Sequence, residues 1–584
     1  MTQAHHTSKG RFISPSATPP AAPKSIYAEC LDCGHRSPYS PNQLNCPSCT
    51  SQWLEARYDY PVIGPQLATI VERRPFNLWR YRELLPVFEY NPILSMGEGG
   101  TPLIYAPNLG MMLGLQNVYI KDERQGPTSS FKDRQAAVNI AALKEAGITE
   151  VVTASTGNVA IAYSAYAARA GIKLWAFLTS LVPAEKMREV AIYGTQVVKV
   201  TASYDQAKKV AAEYASQRHL YLERGVRSIP SVEAMKTIAF EIAEQLGKSD
   251  STAAADSAGW VAPDWYFQAV SGALGPYGVF KGFSELYDMG LIDHIPAIAG
   301  IQTEGCAPIV HAWKQNKDTA EPVVSPRTHI ATLSTGDPGR TYTLLRQRIL
   351  QAQATRHGGG GVFESVTDDE AFRAMHIIAK LEGISVEPAA AVAFAGLIKL
   401  ARTGQIKPDQ VVVINCSGHT MPIEKTILGE GWARNVILPS QVSAETPEEG
   451  LLAALNRVTD DRFPHVLIVD DTDEARRLIR RILQSQGNYT FFEAANGRQA
   501  LEIARREIPD LILLDLMMPE LDGFAVLDAL KATPQTAPIP VIVITAKELT
   551  PEEKTRLDGQ IHSLMQKGEF MSDELLEEVK ALTR

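Results

Sequence analysis

Runs of apolar, β-branched residues alternate with alanine-rich stretches through the middle of the chain, from about residue 54 to residue 438. The apolar runs include 150–153, 173–177 and 411–414, and an alanine-rich stretch, 160–170, separates the first two. Continuous apolar runs are typical of buried parallel strands, and the stretches between them are typical of crossover helices. The pattern therefore predicts an α/β fold with mostly parallel strands.

Both ends of the chain break this pattern. The first residues are rich in Ser, Pro, Ala and Thr without apolar periodicity, which is typical of a disordered tail. A segment rich in Pro, Ser, Thr and charged residues follows the central region and predicts a linker, and apolar strands then resume. The predicted organisation is a tail (1–25), a small module (26–53), a catalytic domain (54–436), a linker (437–463) and a C-terminal domain (464–584).

The composition is that of packed globular domains. The 584 residues are 45% hydrophobic and 21% charged, and at roughly 150 residues per domain this length predicts several folding units. The net charge of -9 gives no attraction to nucleic acid or to anionic membranes. No apolar run approaches the roughly 18 residues that cross a bilayer, and the N-terminus lacks the apolar core of a secretion signal. We therefore expect a cytoplasmic protein that binds neither nucleic acid nor membranes.

Four of the six cysteines form two closely spaced pairs near the N-terminus, Cys30 with Cys33 and Cys46 with Cys49. Two such turns place four thiolates in a tetrahedral set that suits Zn²⁺, and in a cytosolic chain a metal explains them better than disulfides do. The module 26–53 is therefore predicted to be zinc-ribbon-like. The alternative is a ribbon that has lost its metal or that pairs its thiols on oxidation.

Three segments that follow predicted strands carry residues suited to chemistry, and ligands of α/β folds bind at such strand ends. Lys132 stands at the start of a helix, where the helix dipole disfavours its charged form and so favours a nucleophile. The turn 154–158 has hydroxyl, N–H and amide groups suited to a carboxylate. In the loop 271–276, backbone N–H groups at a helix start can hold a phosphate. Taken singly, a lysine before a helix is more often solvated, a Ser-Thr-Gly-Asn run is more often a helix cap, and a glycine-rich turn is more often a simple turn.

In their order and context, these segments resemble the fold-type II pyridoxal-phosphate enzymes (tryptophan synthase β-like), and most closely threonine synthase. The resemblance covers nearly all of residues 90–430. The matching stretches are 97–103 (GEGGTPL), 130–134 (SFKDR), 155–158 (STGN), 236–242 (KTIAFEI), 302–309 (QTEGCAPI), 386–390 (VEPAA) and 417–419 (SGH). The resemblance implies an α/β catalytic domain of this type, a lobe that closes over the substrate, and a homodimer.

The resemblance also implies a role for each matching residue. Lys132 would hold the cofactor as an imine and, once an amino-acid substrate releases it, would act as the base at the substrate Cα. Asn158 would bind the ring hydroxyl, and Ser417 would meet the pyridine nitrogen as a neutral partner. The loop that would hold the cofactor phosphate comprises Ser271, Gly272, Ala273, Leu274 and Gly275. The turn that would hold the substrate carboxylate comprises Ser155, Thr156 and Gly157.

Some positions depart from the family pattern. Ser129 and Gln135 replace glycines on either side of the lysine motif, which narrows the pocket beside the imine. Leu274 and Pro276 replace glycine- or asparagine-type residues in the phosphate loop, a change that keeps the backbone donors. These departures affect the expected substrate size more than the expected cofactor.

A further departure concerns the substrate. Ser231 stands where the family has an arginine that helps bind the substrate's phosphate, and a buried phosphate without a cationic partner is costly. Arg224 and Arg227 are the candidate replacements. The predicted function is a pyridoxal-phosphate lyase or synthase of the threonine-synthase type, with O-phosphohomoserine and water giving threonine and phosphate. Ser231 keeps open a β-replacing or β-eliminating enzyme, similar to cysteate synthase or serine/threonine dehydratase, and a non-catalytic signalling module is a third alternative.

The C-terminal domain carries carboxylates at the ends of its predicted strands. Asp470 and Asp471 follow one apolar strand, and Asp515 follows another. Such carboxylates repel each other unless a hard cation lies between them, and oxygen ligands favour Mg²⁺. A third strand ends in Thr545, and Lys567 follows it.

This arrangement resembles the receiver domain of response regulators across 464–584. The resemblance implies that Asp515 is the phosphoacceptor, with Mg²⁺ held by Asp470, Asp471, Asp515 and the Met517 carbonyl, and phosphoryl oxygens bound by Thr545 and Lys567. A histidine kinase or phosphotransfer protein is the implied partner, and the output is the enzyme itself, because no DNA-binding segment follows. A flavodoxin-like domain with an inactive pocket is the alternative. Leu564 and Gly568 replace the family's switch aromatic and a proline, so the signal is expected to follow an uncommon route.

Overall fold

The structure is a computed structural model. It describes residues 25–41, 43–155, 157–179, 182, 184–201, 204–249, 259–355, 358–419, 464–484, 489–547, 549–566 and 573–582. Most of the predicted tail, the linker, Thr156 and Lys567 lie outside the described residues.

The secondary structure alternates as the apolar pattern predicts. The strands are β1 (Tyr27–Cys30), β2 (Arg36–Pro38), β3 (Leu54–Arg57), β4 (Leu103–Tyr105), β5 (Asn117–Asp122), β6 (Glu150–Ser155), β7 (Lys173–Thr179), β8 (Gln196–Val200), β9 (Tyr221–Leu222), β10 (Trp265–Ala269), β11 (Ile295–Thr303), β12 (Gly358–Val366), β13 (Val411–Cys416), β14 (His465–Val469), β15 (Thr490–Ala494), β16 (Leu511–Leu514), β17 (Val541–Thr545) and β18 (Ser563–Gln566). The helices are α1 (Tyr60–Glu72), α2 (Pro107–Leu113), α3 (Lys132–Glu145), α4 (Asn158–Ala170), α5 (Ala184–Ile192), α6 (Tyr204–Gln217), α7 (Ile229–Ser249), α8 (Leu274–Asp288), α9 (Pro308–Lys314), α10 (Arg340–Ala354), α11 (Asp368–Glu382), α12 (Pro388–Arg402), α13 (Asp473–Gln484), α14 (Gly497–Glu507), α15 (Gly523–Ala532), α16 (Pro551–Leu557) and α17 (Asp573–Leu582).

The N-terminal module is a small antiparallel sheet in the order β2-β1-β3. Because β3 pairs with β1, this sheet extends to Arg57, beyond residue 53 where the sequence places the end of the module. Glu55 on β3 is buried and pairs with Arg348 of α10 at 2.7 Å, and the pKa of this carboxyl is about 2 because the neighbouring cations outweigh the opposing effect of burial. The module is therefore anchored to the catalytic domain by a buried charge pair.

The central region contains two separate sheets, so it has more than one core, as its length predicts. The larger sheet has the order β12-β11-β10-β13-β5-β4 and is parallel except for β4. The smaller sheet has the order β8-β7-β6-β9 and is entirely parallel. Since the strands of a parallel sheet end at the same edge, the segments after β5, β10 and β13 lie side by side.

The C-terminal domain is a parallel five-stranded sheet in the order β15-β14-β16-β17-β18. Helix α13 contacts both α2 and α11 of the catalytic domain. Leu478 and Ile482 on α13 are 6% and 5% exposed and belong to the same apolar core as Met112 and Met375. The two domains therefore share a packed apolar contact. Within the described ranges, no helix combines the length and apolar character needed to cross a lipid bilayer.

Candidate active site

Lys132 is the first residue of α3 and is half-buried. Burial lowers the pKa of its amine to about 8, against the opposing effect of the Glu223 carboxylate. Its Nζ donates a hydrogen bond to Oε1 of Gln135 at 3.3 Å and lies 4.3 Å from the centre of the Phe131 ring. An amine with this pKa is partly neutral near pH 7.5, which is the state that attacks an aldehyde.

The loop before Lys132 is fixed against the segment that follows β13. The Phe131 N–H donates to the Ser417 carbonyl at 3.0 Å, and the His419 N–H donates to the Ser129 carbonyl at 3.0 Å. These two bonds hold Ser417 beside the start of α3, where its side chain is buried. Ser129 has a φ of 56°, in the left-handed region that glycine adopts without strain, which explains why the resemblance expects glycine there.

A buried ion network holds the start of α3 in place. Arg134 pairs with Glu123 at 2.8 Å and with Glu241 at 2.6 Å, and Lys121 also pairs with Glu241 at 2.8 Å. All four side chains are nearly inaccessible to solvent. Because breaking such a buried network is costly, the backbone that presents the Lys132 amine is rigid.

The predicted carboxylate-binding turn lies at the start of α4. Ser155 Oγ accepts hydrogen bonds from the N–H groups of Gly157 at 3.0 Å and Ala160 at 3.1 Å, so this hydroxyl caps the helix. Its own proton stays available to donate. Gly157 has a φ of 146°, and a Cβ there would lie 3.2 Å from Lys186 Cδ. The turn therefore brings backbone close to Lys186.

Asn158, Lys186 and Glu387 form a hydrogen-bonded cluster. Asn158 Nδ2 donates to Glu387 Oε1 at 2.8 Å, and Lys186 Nζ donates to Asn158 Oδ1 at 2.8 Å. Lys186 and Glu387 also pair at 3.3 Å, and each side chain is 4% exposed. Gly418 adjoins the cluster, since a Cβ there would lie 2.7 Å from Glu387 Oε1 and 3.3 Å from Asn158 Nδ2. The cluster thus lies beside the segment that carries Ser417.

Sequence reasoning assigned a role to Asn158 but missed both charged members of this cluster, Lys186 and Glu387. Glu387 stands in the matching stretch 386–390, directly before the proline that begins α12, and that motif is the signal that could have found it. Lys186 lies in the short helix α5 without any motif around it. Only the fold brings it beside the turn 155–158.

The predicted phosphate loop connects β10 to α8. Leu274 begins α8, and Ala273 before it has a φ of 65°, a left-handed conformation without a capping side chain. The first N–H groups of such a helix lack partners inside the helix and favour an anion. Gly275 packs closely against the Gln268 side chain, since a Cβ there would lie 2.3 Å from Gln268 Nε2. Ser271 hydrogen-bonds Thr335, which ties Gly272 and the rest of the loop to the neighbouring segment.

The position predicted to lack its arginine is occupied by Ser231, which belongs to a polar network around the Glu223 carboxylate. Ser231 is fully buried, and its Oγ donates to Glu223 Oε1 at 3.0 Å. Asn139 Nδ2 donates to Ser231 Oγ at 2.8 Å, and Gln135 Nε2 donates to Glu223 Oε1 at 3.2 Å. Arg227, one of the candidate replacements, instead donates to Gln52 at 2.9 Å.

The four predicted zinc ligands come together in the N-terminal module. The ligand atoms of Cys30, Cys33, Cys46 and Cys49 all lie within 4.8 Å of one another. Sγ of Cys30 lies 3.5 Å from that of Cys49, and Sγ of Cys33 lies 3.7 Å from that of Cys46. These distances and the all-thiol donor set fit a tetrahedral zinc site.

The predicted magnesium ligands meet at one edge of the C-terminal sheet. The carboxylate oxygens of Asp470, Asp471 and Asp515 lie within 4.8 Å of one another, with Asp471 exposed and the other two buried. The Met517 N–H donates to Asp515 Oδ1 at 3.1 Å, which fixes that side chain. Thr545 ends the neighbouring strand β17 and is buried at the same edge.

Two known protein families match separate parts of the chain. The family described as pyridoxal-phosphate dependent enzyme matches residues 94–418, and the response regulator receiver domain matches residues 466–580. Threonine synthase of Methanocaldococcus jannaschii is 34% identical over 392 residues, 67% of this chain and 91% of that protein. Threonine synthase of Methanosarcina acetivorans is 33% identical over 405 residues, 69% of this chain and 93% of that protein. Threonine synthase of Synechocystis is 31% identical over 379 residues, 64% of this chain and 91% of that protein.

Proposed function

The chain belongs to the pyridoxal-phosphate dependent enzymes and carries a C-terminal response regulator receiver domain, and from this premise we propose that it is a receiver-regulated lyase of the threonine-synthase type. The proposed reaction converts O-phosphohomoserine and water into threonine and phosphate. The observation that carries the proposal is the Lys132 amine at the start of α3, with Ser417 against the preceding loop and the cluster of Asn158, Lys186 and Glu387 beside Gly418. The β-replacing and β-eliminating alternatives are other enzymes of the same family, and the named relatives do not favour them.

The residues present fit pyridoxal phosphate. The amine of Lys132 has a lowered pKa that suits reaction with an aldehyde, and the start of α8 offers uncapped N–H groups for a phosphate. We propose that Lys132 holds the cofactor, that loop 271–275 binds its phosphate, and that Asn158 and Ser417 face the ring hydroxyl and ring nitrogen. When bound, the cofactor supplies an electron sink for negative charge at the substrate Cα.

The protein's own groups then bind the substrate and move its protons. The Lys132 amine takes the proton from Cα, since its pKa of about 8 leaves it partly neutral near pH 7.5. The Ser155 hydroxyl and the turn at Gly157 provide donors for the substrate carboxylate, with Thr156 as the third predicted contact. Ser155 is buried, which limits the access of water to this donor.

We propose Lys186 as the cation that meets the substrate phosphate. The arginine expected at 231 is replaced by Ser231, which is hydrogen-bonded to the Glu223 carboxylate, and a carboxylate repels an anion. Lys186 lies against Gly157 and Asn158 and pairs with Glu387. A charge-assisted hydrogen bond from this ammonium would offset the cost of desolvating a phosphate.

The substrate assignment is tested by incubating the holoenzyme with O-phosphohomoserine and, separately, with O-phosphoserine, and measuring phosphate and amino-acid products. We expect threonine and phosphate from the first substrate only. Lys132→Ala should abolish turnover and leave the fold intact, and Lys186→Met should raise KM for the phosphorylated substrate about tenfold or more, because it removes a charged hydrogen bond. Pyruvate or a replacement product from O-phosphoserine would instead favour the β-elimination or β-replacement alternative.

We propose that Asp515 accepts a phosphoryl group from a histidine kinase or phosphotransfer protein. Support comes from the receiver-domain match and from three carboxylates whose oxygens fit a divalent cation, Mg²⁺ by donor chemistry, with the Met517 carbonyl as a further ligand. Thr545 and Lys567 are the residues proposed to bind the phosphoryl oxygens, and Thr545 ends β17. Incubation with acetyl phosphate and Mg²⁺ should label the wild type and not Asp515→Asn. A wild type that stays unlabelled would contradict this part of the proposal.

The contact between the two domains suggests how phosphorylation reaches the active site. Helix α13 begins three residues after Asp470 and packs on α2 and α11. Those two helices are tied together, because Asn108 Nδ2 donates to the Leu381 carbonyl at 3.0 Å and the Leu109 N–H donates to Glu382 Oε1 at 2.6 Å. A shift of α13 would therefore also displace the C-terminal end of α11.

The end of α11 leads directly into the catalytic cluster. Arg124 Nη1 donates to the Ser385 carbonyl at 2.6 Å, and Glu387 follows two residues later. Since Glu387 contacts both Asn158 and Lys186, a displacement of this segment would alter the groups proposed to meet the ring hydroxyl and the substrate phosphate. This route differs from the common one through the switch aromatic, whose place is taken by Leu564.

Further expectations remain part of the proposal. The four N-terminal cysteines would bind zinc as a structural site, and the catalytic domain would form a homodimer. The protein would act in the cytoplasm, where phosphorylated amino-acid substrates and kinases are available. Size-exclusion chromatography with light scattering measures the oligomeric state, and metal analysis of the purified protein measures the zinc.

A further inference from the structure

The Lys132 amine is connected to a carboxylate by a bridge of one side chain. Its Nζ donates to Gln135 Oε1 at 3.3 Å, and the same amide donates through Nε2 to Glu223 Oε1 at 3.2 Å. Gln135 is 1% exposed, so this amide has little room to turn. The Gln135 oxygen accepts from the amine and the Gln135 nitrogen donates to the carboxylate, so this amide links the amine to an anion.

Glu223 is itself fixed by several donors. Besides Gln135, its Oε1 accepts from Ser231 Oγ at 3.0 Å and from the Gly225 N–H at 2.8 Å. Ser231 in turn accepts from Asn139 at 2.8 Å. The carboxylate is therefore held in one position by a backbone N–H and by buried side-chain donors.

The two side chains that complete this bridge are departures from the family pattern. Glycine at 135 would leave no amide to reach the amine, and arginine at 231 would neutralise the carboxylate. With Gln135 and Ser231, the carboxylate instead acts on Lys132. The two substitutions therefore make structural sense together.

We propose that Glu223 is a positioning residue for Lys132, which through Gln135 orients the amine and favours its protonated form whenever the amine is free. This rests on the proposed function insofar as Lys132 is the reactive amine. When the amine is free, a higher pKa lets it keep the proton taken from the substrate for longer before it gives that proton back to the substrate. Glu223 touches neither the cofactor nor the reacting atoms in this assignment and acts only through the lysine.

The other charged or titratable groups around this bridge do not replace Glu223. Those that interact with Glu223 are Tyr163, Tyr204, Tyr221 and Arg224. The pKa of each of these tyrosines is raised, mainly by burial, so the phenols stay neutral across the range in which Lys132 titrates. Glu223 is the one charged group that acts directly on the Lys132 amine among the described residues.

The test uses cofactor-free protein and needs no turnover. The Lys132 amine is labelled by competitive reductive methylation between pH 6 and 10 and quantified by mass spectrometry, which gives its midpoint, expected near 8 for the wild type. In Glu223→Gln, the midpoint should fall by about half a unit or more, because the carboxylate no longer favours the ammonium. The reactivity at pH 7 should rise about threefold accordingly.

Two further variants separate the bridge from a general effect of substitution. Gln135→Leu keeps the carboxylate but removes the bridge, and it should show at least half of the shift. Glu213→Gln, on exposed α6, is the matched control and should show none. A midpoint in Glu223→Gln within 0.2 units of the wild type, with an unchanged circular dichroism spectrum, would overturn the proposal, and an unshifted Gln135→Leu would overturn the role of the bridge.

The result is independent of the substrate assignment. If labelling shifts as expected while O-phosphohomoserine is not converted, the proposed function fails and the positioning role stands. If the enzyme is active, the acidic limb of its kcat profile should move to lower pH in Glu223→Gln by the same amount as the labelling midpoint, because the base loses its proton more readily. A role confined to folding would change the yield or thermal stability and leave that limb in place.

Discussion

At the scale of single residues, the buried amine of Lys132, the proposed catalytic base, lowers the stability of the folded protein. Its amine is buried by the same structure that makes it reactive, so the folded state binds its proton less tightly than the unfolded chain does. The pKa is about 8 in the folded protein against an ordinary value of 10.5. Active sites often carry such locally unfavourable groups.

This cost predicts a pH-dependent stability. Between pH 8 and 10.5 the unfolded chain binds more protons than the folded protein, so the free energy of unfolding rises with pH in that window, and below pH 8 the penalty is fully present. In cofactor-free protein, Lys132→Met should therefore raise the free energy of unfolding at pH 7 by about 1 to 3 kcal/mol.

Denaturant unfolding of the wild type and Lys132→Met at pH 7 and pH 10.5 measures this difference. The increase in the free energy of unfolding caused by Lys132→Met should be smaller at pH 10.5, where the wild-type amine is neutral in the folded protein. An equal gain at both pH values would show that removal of charge is not its cause.

The sequence identified residues whose motifs are local and missed those that the fold brings in from elsewhere. Lys132 at a helix start and Asn158 after a strand could be predicted because the chemistry and the secondary structure lie in the same short segment. Lys186 and Glu223 come from separate segments of the chain, and no spacing between them and Lys132 carries a signal. The predicted roles of the site residues remain predictions, and the structure gives the positions of those site residues that lie within its described ranges.

At the scale of secondary-structure elements, the apolar runs were sufficient to predict the strands. The run 150–153 became β6 and the run 411–414 became the core of β13, because long apolar stretches can only be satisfied by burial on both faces. The apolar pattern did not predict that part of the apolar surface of α13 packs against the catalytic domain. Leu478 and Ile482 look like ordinary core positions of a receiver helix, since helical periodicity does not say which neighbour covers a face.

Helix α13 therefore supports a prediction about coupling. Ile482→Asp should place a charge in the contact with α2 and α11 and separate the domains, because an unpaired buried charge costs several kcal/mol. We expect faster hydrogen exchange in residues 107–113 and 368–387 and loss of any effect of acetyl phosphate on activity. Hydrogen exchange with mass spectrometry, combined with the substrate assay, measures both.

Two further variants test whether the effect comes from the contact itself. Met112→Glu approaches the same contact from the catalytic side and should reproduce the effect, whereas Arg477→Ala, whose side chain is 69% exposed on α13, should not. Coupling that survives both Ile482→Asp and Met112→Glu would show that the signal travels elsewhere.

At the scale of the whole molecule, the N-terminal module is part of the catalytic domain's core rather than an appendage. Cys30, Cys46 and Leu54 belong to the same apolar cluster as Phe240 of α7 and Phe283 of α8. The resemblance and the family match confirm the predicted fold class and enzyme family, because motifs spread over the whole catalytic domain constrain both. The sharing of a core between module and domain could not be predicted, since each apolar side chain is explained equally well within its own unit.

This shared core predicts a broad effect of metal removal. If the four thiols hold zinc, a strong chelator should lower the thermal midpoint of the catalytic domain by several degrees, because loss of the site loosens a surface on which α7 and α8 pack. Differential scanning calorimetry with metal analysis before and after chelation makes the measurement. Cys33→Ser with Cys49→Ser should show the lower midpoint without chelator and no further response, whereas a zinc-free wild type with the higher midpoint would contradict the prediction.

The apolar contact beneath α13 also affects the solubility of truncated versions of the protein. A shortened version that stops after the catalytic domain would expose the side of α2 and α11 that Leu478 and Ile482 now cover. Bare apolar surface of this kind promotes self-association in water. The catalytic domain produced without the C-terminal domain should therefore be poorly soluble unless Met112 and its apolar neighbours are replaced by hydrophilic side chains.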